Sequence, residues 1–179
     1  MGFGVFPDVP DGHELTELES LQLLNSIFSD RITWLGHTSF LITTSGVTIL
    51  TDPFLSKRAS PVSWAGPRRI VNLPIPINKL PPINIVIVSH NHYDHLDDKT
   101  VSELKNKNEI HVVVPLGLKS FFTERGYSKV TELDWGQSVS VEGIEITAES
   151  VVHDSARSTS DQNETLCASW VIKSLRKRI

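Results

Sequence analysis

Ile83-Asn-Ile-Val-Ile-Val88-Ser89-His90-Asn91-His92-Tyr93-Asp94-His95 is the stretch on which the reading of this chain turns. It begins as an apolar, β-branched run of strand length. It then places four metal-capable side chains, His90, His92, Asp94 and His95, within six positions. A strand is stiff, so the loop that follows it can hold ligands at fixed angles. Imidazole and carboxylate are the ligands that borderline divalent metals such as zinc prefer. His90 and His92, two apart, can point at one ion, and Asp94 and His95 then reach toward a second position. Two ions about 3.5–4 Å apart clamp an ester and activate water. The other reading, a polar surface loop with unrelated histidines, is weakened because three of the chain's seven histidines fall here.

Outward from this stretch, strand signals recur. Arg31–Leu35, Phe40–Thr43 and Val47–Thr51 precede it, separated by Gly36-His37-Thr38-Ser39 and the turn signal Ser45-Gly46. Downstream, 111–115, 130–135, 139–141, 144–148 and 166–172 read as strands. Helices are expected from Asp97 or Asp98 to about Lys107, and from Leu118 to Arg125. Residues 14–28 carry Leu15, Leu18, Leu21, Leu24 and Phe28 near helical spacing, behind an irregular tail. That helix is expected to pack on its own domain. Its acidic polar face disfavours anionic lipid, though peripheral membrane contact stays open as an alternative. The pattern is a layered α/β domain.

Composition narrows the classes. The 179 residues suit one domain, 39% of them are apolar, and the net charge of −4 gives no reason to expect nucleic acid. A single Cys167 excludes an internal disulfide and a cysteine zinc site, and its apolar setting reads as core. No run approaches the roughly 18 apolar residues of a spanning helix. No Lys or Arg precedes Arg31, which argues against a signal peptide or presequence and leaves the cytoplasm as the expected location. No phosphate-cradling glycine motif occurs, and Ser39 and Ser89 lack a triad partner order.

His-x-His-x-Asp-His after a buried strand resembles the metallo-β-lactamase-fold hydrolases, an αββα sandwich. The upstream Thr51-Asp52-Pro53 and the downstream His153 agree. The resemblance implies that His90, His92 and His153 hold one zinc ion, that Asp94 and His95 serve a second, and that Asp52 orients the motif loop. Asp94, His95 and Asp52 are on this reading the catalytic residues. Ile32-Thr-Trp-Leu-Gly-His-Thr-Ser-Phe40 is similar to one branch of the superfamily. That branch includes N-acylphosphatidylethanolamine-hydrolysing phospholipases D and L-ascorbate-6-phosphate lactonases, and the stretch from His153 to Trp170 looks more like the former. Residues 1–30 would be a tail and short helix, and 31–179 the first half of a sandwich. Nothing after His153 supplies the second half's bridging aspartate or last histidine. The expectation is one filled metal site, an incomplete second one, and an exposed sheet edge at 166–172 through which two copies could pair.

The loop 54–82 holds six prolines, and no acidic residue lies between Asp52 and Asp94. Lys57, Arg58, Arg68 and Arg69, with Trp64 interleaved, form a candidate wall for a phosphate-bearing small molecule or lipid. The alternative is a solvated basic loop. His37 is either near the metals, as a substrate contact, or structural. His111 reads as structural and His13 as inert. The function expected is zinc-dependent phosphodiester hydrolysis of the N-acylphosphatidylethanolamine phospholipase D kind. The alternatives are a lactonase or other esterase of the same fold, and an inactive metal-binding or interaction module.

Overall fold

Ser45 and Gly46 have φ of 51° and 80°, the left-handed pair that a two-residue hairpin turn requires. They join β2 (Ser39–Thr44) to β3 (Val47–Thr51) in antiparallel register, with Thr44 opposite Val47. The computed structural model describes residues 9–25, 30–73 and 75–174. Within them β1 (Arg31–Gly36) pairs with β2, and β3 continues in parallel to β4 (Ile85–Ile87), β5 (His111–Pro115) and β6 (Lys129–Leu133). The result is a six-stranded sheet in sequence order. Helices α2 (Asp98–Glu103) and α3 (Lys119–Thr123) lie on the β4–β5 and β5–β6 crossovers. The hairpin β7 (Ser138–Val141) and β8 (Ile144–Glu149), with β9 (Ser169–Lys173), form a second, antiparallel sheet of three strands.

Strand β4 explains the layering. Ile85 and Ile87 join Ile42, Ile49 and Val113 against Ile144, Ile146, Ala148 and Ile172 of the small sheet. Val86 and Val88 join Val112 and Val114 on the opposite face, under Leu96, Val101, Phe122 and Tyr127. A strand buried on both faces has no polar side to show, which is why 83–88 reads as nearly unbroken apolar sequence. Helices, large sheet and small sheet are thus three layers of a mixed α/β sandwich. Because β3 to β6 are parallel, their C-terminal ends share one edge, where ligand sites of such sheets form. Asp52 leaves β3 there, and the histidine loop leaves β4.

Several expectations change. Helix α1 spans Glu17–Leu24, with Thr16 and Glu19 in a reciprocal capping box, and residues 26–28 of the expected helix lie outside the described ones. Its leucines do not form the buried face: Leu15, Leu18 and Leu23 are exposed, Ser20 is buried, and Leu24 alone reaches the core. Polar contacts accompany this rotation, with Lys79 on Glu17, the Asn72 amide donating to Glu14, and Arg31 donating to the carbonyls of Leu23 and Leu24. Strand β9 begins at Ser169 rather than 166. Leu166 and Ala168 first donate their amides to Leu116 and Ser89, bridging to the large sheet. The outer face of the small sheet carries Ser138, Ser140, Glu145, Glu149, Ser169 and Lys173, all exposed, so this face is polar. The uncovered apolar surface lies instead on β1, where Ile32 and Trp34 are more than half exposed. Among the described residues no helix is long and apolar enough to cross a membrane.

Candidate metal centre

The histidine loop is fixed from beneath by Asp52. This residue sits just past β3 at φ 40°, a strained position for a side chain other than glycine. The Ser39 hydroxyl donates to its carbonyl at 2.6 Å, and its own amide donates to Ile87 at 2.9 Å. Its carboxylate accepts from the Ser89 amide (2.7 Å), the Ser89 hydroxyl (2.9 Å) and His95 Nδ1 (2.8 Å). Since the Ser89 hydroxyl donates to Asp52, its oxygen is left to accept from His90 Nδ1 at 2.9 Å. The network assigns protons to Nδ1 of both His90 and His95 and turns their Nε2 lone pairs outward, the arrangement that metal-ligating histidines require. Leu96, fully buried, anchors the end of the loop, and Asp97 caps α2 on the Thr100 amide.

Three ring nitrogens converge above this base. His90 Nε2 lies 3.0 Å from His92 Nδ1 and 3.1 Å from His153 Nε2. Nitrogens bonded to one tetrahedral zinc at about 2.0–2.1 Å stand roughly 3.3 Å apart, so these spacings fit an ion. Burial, reinforced by His95, His92 and His153, pushes the His90 imidazole down to about 3. At neutral pH it is the uncharged, ligating form.

A second cluster adjoins the first. His37 Nε2 is 2.9 Å and His95 Nε2 3.9 Å from Asp94 Oδ2, and these three donor atoms lie within 4.8 Å of one another. The clusters meet where the His90 and His95 rings lie 4.0 Å apart. Burial raises the Asp94 carboxyl, but His95, a backbone hydrogen bond at Asp94 itself and His37 together outweigh it and hold the group below its ordinary value. The sequence left His37 open between a place near the metals and a structural one. The fold sets it in the β1–β2 turn, against Asp94.

The proline-rich loop closes one side. The Ala59 amide donates to Pro67 and the Arg69 amide to Lys57, making a short ladder with Arg58 opposite Arg68. The basic residues then divide. The Arg69 guanidinium is turned inward, donating from Nε to Val71 at 2.7 Å and from Nη1 to the Phe54 carbonyl. Gly36 leaves it room, since a Cβ there would stand 2.4 Å from Nη2. Arg58 donates to Gly66 within the loop tip. Lys57 and Trp64 are exposed and lie outside the cavity lining. Arg68 alone of the four basic residues is both exposed and on the rim of a 670 Å³ cavity. That cavity is walled by Trp34, Phe54, Ile70, Val71 and Tyr93 and reaches His37, His92 and Asp94.

Arg157 is the residue whose part the sequence did not disclose. Its guanidinium donates to the carbonyls of Asn91 (2.8 Å) and Leu96 (2.7 Å) and stacks 4.1 Å over Tyr93, whose hydroxyl donates to the Arg157 carbonyl. It straps the segment bearing His153 to the histidine loop. Only an arginine four positions beyond His153 could have hinted at it.

Residues 47–179 match the β-lactamase superfamily domain family, and the chain belongs to that family, with a metallo-β-lactamase fold. It is 39% identical over 150 residues to N-acyl-phosphatidylethanolamine-hydrolyzing phospholipase D 1 of Caenorhabditis elegans, covering 78% of this chain and 42% of that protein. It is 36% identical over 144 residues to the mitochondrial N-acyl-phosphatidylethanolamine-hydrolyzing phospholipase D of Saccharomyces cerevisiae, covering 78% and 31%. A metallo hydrolase of Ignicoccus hospitalis shares the fold at a TM-score of 0.60 and 18% identity, over 84% of this chain and 58% of that one. The chain thus spans less than half the length of these two curated relatives.

Proposed function

We propose that this chain carries the zinc site of a phosphodiester hydrolase acting on a lipid of the N-acylphosphatidylethanolamine kind. The observation that carries the reading is the convergence of His90 Nε2, His92 Nδ1 and His153 Nε2 at 3.0 and 3.1 Å beside a largely apolar cavity. A zinc ion held there would supply a nucleophile at neutral pH and offset charge developing on a phosphoryl oxygen. The protein's own part is positional. Asp52, through Ser89 and His95, holds the imidazoles in the ligating tautomer. Asp94, a carboxylate beside the converging nitrogens, offers an acceptor for the proton of the attacking water. Arg68 at the rim draws the phosphate, and the wall of Trp34, Phe54, Ile70 and Val71 takes an acyl chain and excludes water. Arg69 serves chiefly as the lock of the loop, since its Nε and Nη1 are turned to backbone carbonyls while Nη2 is left without a hydrogen-bond partner.

A second reading is a metal-binding module that turns over nothing without further chain, and the observation behind it is that the chain spans less than half the length of the two curated relatives above. Zinc-loaded protein assayed on N-acylphosphatidylethanolamine in mixed micelles, with a lactone in parallel, separates the cases. Release of phosphatidic acid that is lost in His153→Ala and weakened in Arg68→Ala supports the hydrolase. Zinc binding without turnover supports the module, and turnover of the lactone alone would move the substrate class.

A further inference from the structure

We propose that His37 is the third protein ligand of a second divalent-metal site, with Asp94 and His95, so that this chain by itself holds two ions. The proposal rests on the reading of His90, His92 and His153 as the first site.

The resemblance in sequence gave the second position only Asp94 and His95. The fold adds a donor from far upstream. Gly36 lies opposite Ser39, so His37 and Thr38 form the tight turn between β1 and β2. There His37 takes φ 50°. A non-glycine side chain in that region costs on the order of 1–3 kcal/mol and persists only where its surroundings over-determine it. Here they do. Trp34 Nε1 donates to the His37 carbonyl at 2.8 Å, and the ring stands edge-on to Phe54 (6.1 Å) and to His95 (5.5 Å).

The strained turn points one atom, Nε2, at Asp94 Oδ2. The opposite donor, His95 Nε2, is aimed from the other side, because its Nδ1 is fixed on Asp52. Two imidazoles facing one carboxylate oxygen, all within 4.8 Å, are a three-point donor set for zinc, cobalt or iron. A simple His37–Asp94 ion pair accounts for this less well. Both groups are well exposed, and such a pair contributes about 0–1 kcal/mol, so on its own it would hold the two side chains together only weakly. The two sites adjoin through the 4.0 Å contact of His90 with His95, which gives the chain the paired-ion arrangement that hydrolytic centres use.

The test is metal stoichiometry, read without any assay of turnover. The full chain is stripped with a chelator and titrated with Co²⁺, following the visible absorption, and zinc content is measured after equilibrium dialysis. Wild type is expected to take two equivalents in two resolved steps. His37→Gly suits the positive φ and removes the ring. It should keep the first step and weaken the second by more than about 100-fold, beyond the roughly 10–100-fold that loss of an outer hydrogen-bonding partner costs. His153→Ala should do the reverse. One equivalent in wild type, lost in His153→Ala, would overturn the second site while leaving the first standing. Two equivalents in both wild type and His37→Gly would place the second ion elsewhere and overturn the role of His37. No binding at all would overturn the first site, and this proposal with it.

Discussion

Asp52 is the residue on which the geometry of the site depends most, although its carboxylate bonds Ser89 and His95 Nδ1 rather than the converging nitrogens. Its carboxylate takes three hydrogen bonds and through them sets the tautomers of two histidines. An amide in its place cannot accept from all three donors. Asp52→Asn is therefore expected to lower zinc affinity about 10–100-fold in chelator competition while leaving a folded protein. Unchanged affinity would show that the histidines orient themselves. Gly36 makes a second prediction. Its φ of 102° and the 2.4 Å approach of Arg69 Nη2 leave no place for a methyl group. Gly36→Ala should cost about 1–3 kcal/mol in urea unfolding, and Arg69→Ala in the same chain should recover the part due to the clash but not the part due to φ. At this scale the sequence disclosed what is local. His90, His92, Asp94 and His95 stand together in the chain and stand together in space. His37 and Arg157 reach the site only through a strained turn and a long strap, and periodicity carries no trace of either.

Elements were legible wherever hydrophobic pattern decides them. The buried parallel strands β4 and β5 and the hairpin at Ser45-Gly46 follow from β-branched runs and turn residues. Their ends were less legible: α2 stops at Glu103 because Leu104 turns to ψ 137° and Asn106 adopts φ 56°, well before the expected Lys107. Helix α1 does not bury its leucine stripe: Leu18 and Leu23 stay exposed, and Glu17 on it meets Lys79. The proline-rich loop read as a basic wall, yet two of its arginines serve its own backbone. His111, at the start of β5, bonds Thr131 Oγ1 at 2.8 Å, and burial, with Lys129, holds its imidazole below the ordinary value. The unfolded chain then binds the extra proton first as pH falls through about 6.5, so the folded state loses stability until the pH passes the lower folded value. Metal-free wild type should thus lose more stability than His111→Gln between pH 7.5 and 5.5 in paired urea melts. Equal losses would mean that His111 is not held neutral.

At the scale of the whole molecule, the large sheet is covered by helices on one face and by the small sheet on most of the other. What remains bare is the β1 strip of Ile32 and Trp34, and the outer edge of β9 pairs with nothing among the described residues. Exposed apolar surface and open strand edges drive association. We expect concentration-dependent self-association in sedimentation velocity, reduced by Ile32→Glu. That substitution should shift stability by no more than about 0.5 kcal/mol, because the side chain is exposed. A monomer at every concentration would contradict this. The central claim is that residues far apart in the chain, His90 and His92 on one loop and His153 on another, ligate a single ion. The most direct measurement is zinc K-edge absorption on protein loaded with one equivalent of zinc. The account predicts a first shell with three imidazoles at about 2.0–2.1 Å, falling to two in His153→Ala. An oxygen-only shell, or a spectrum indifferent to His153→Ala, would contradict it.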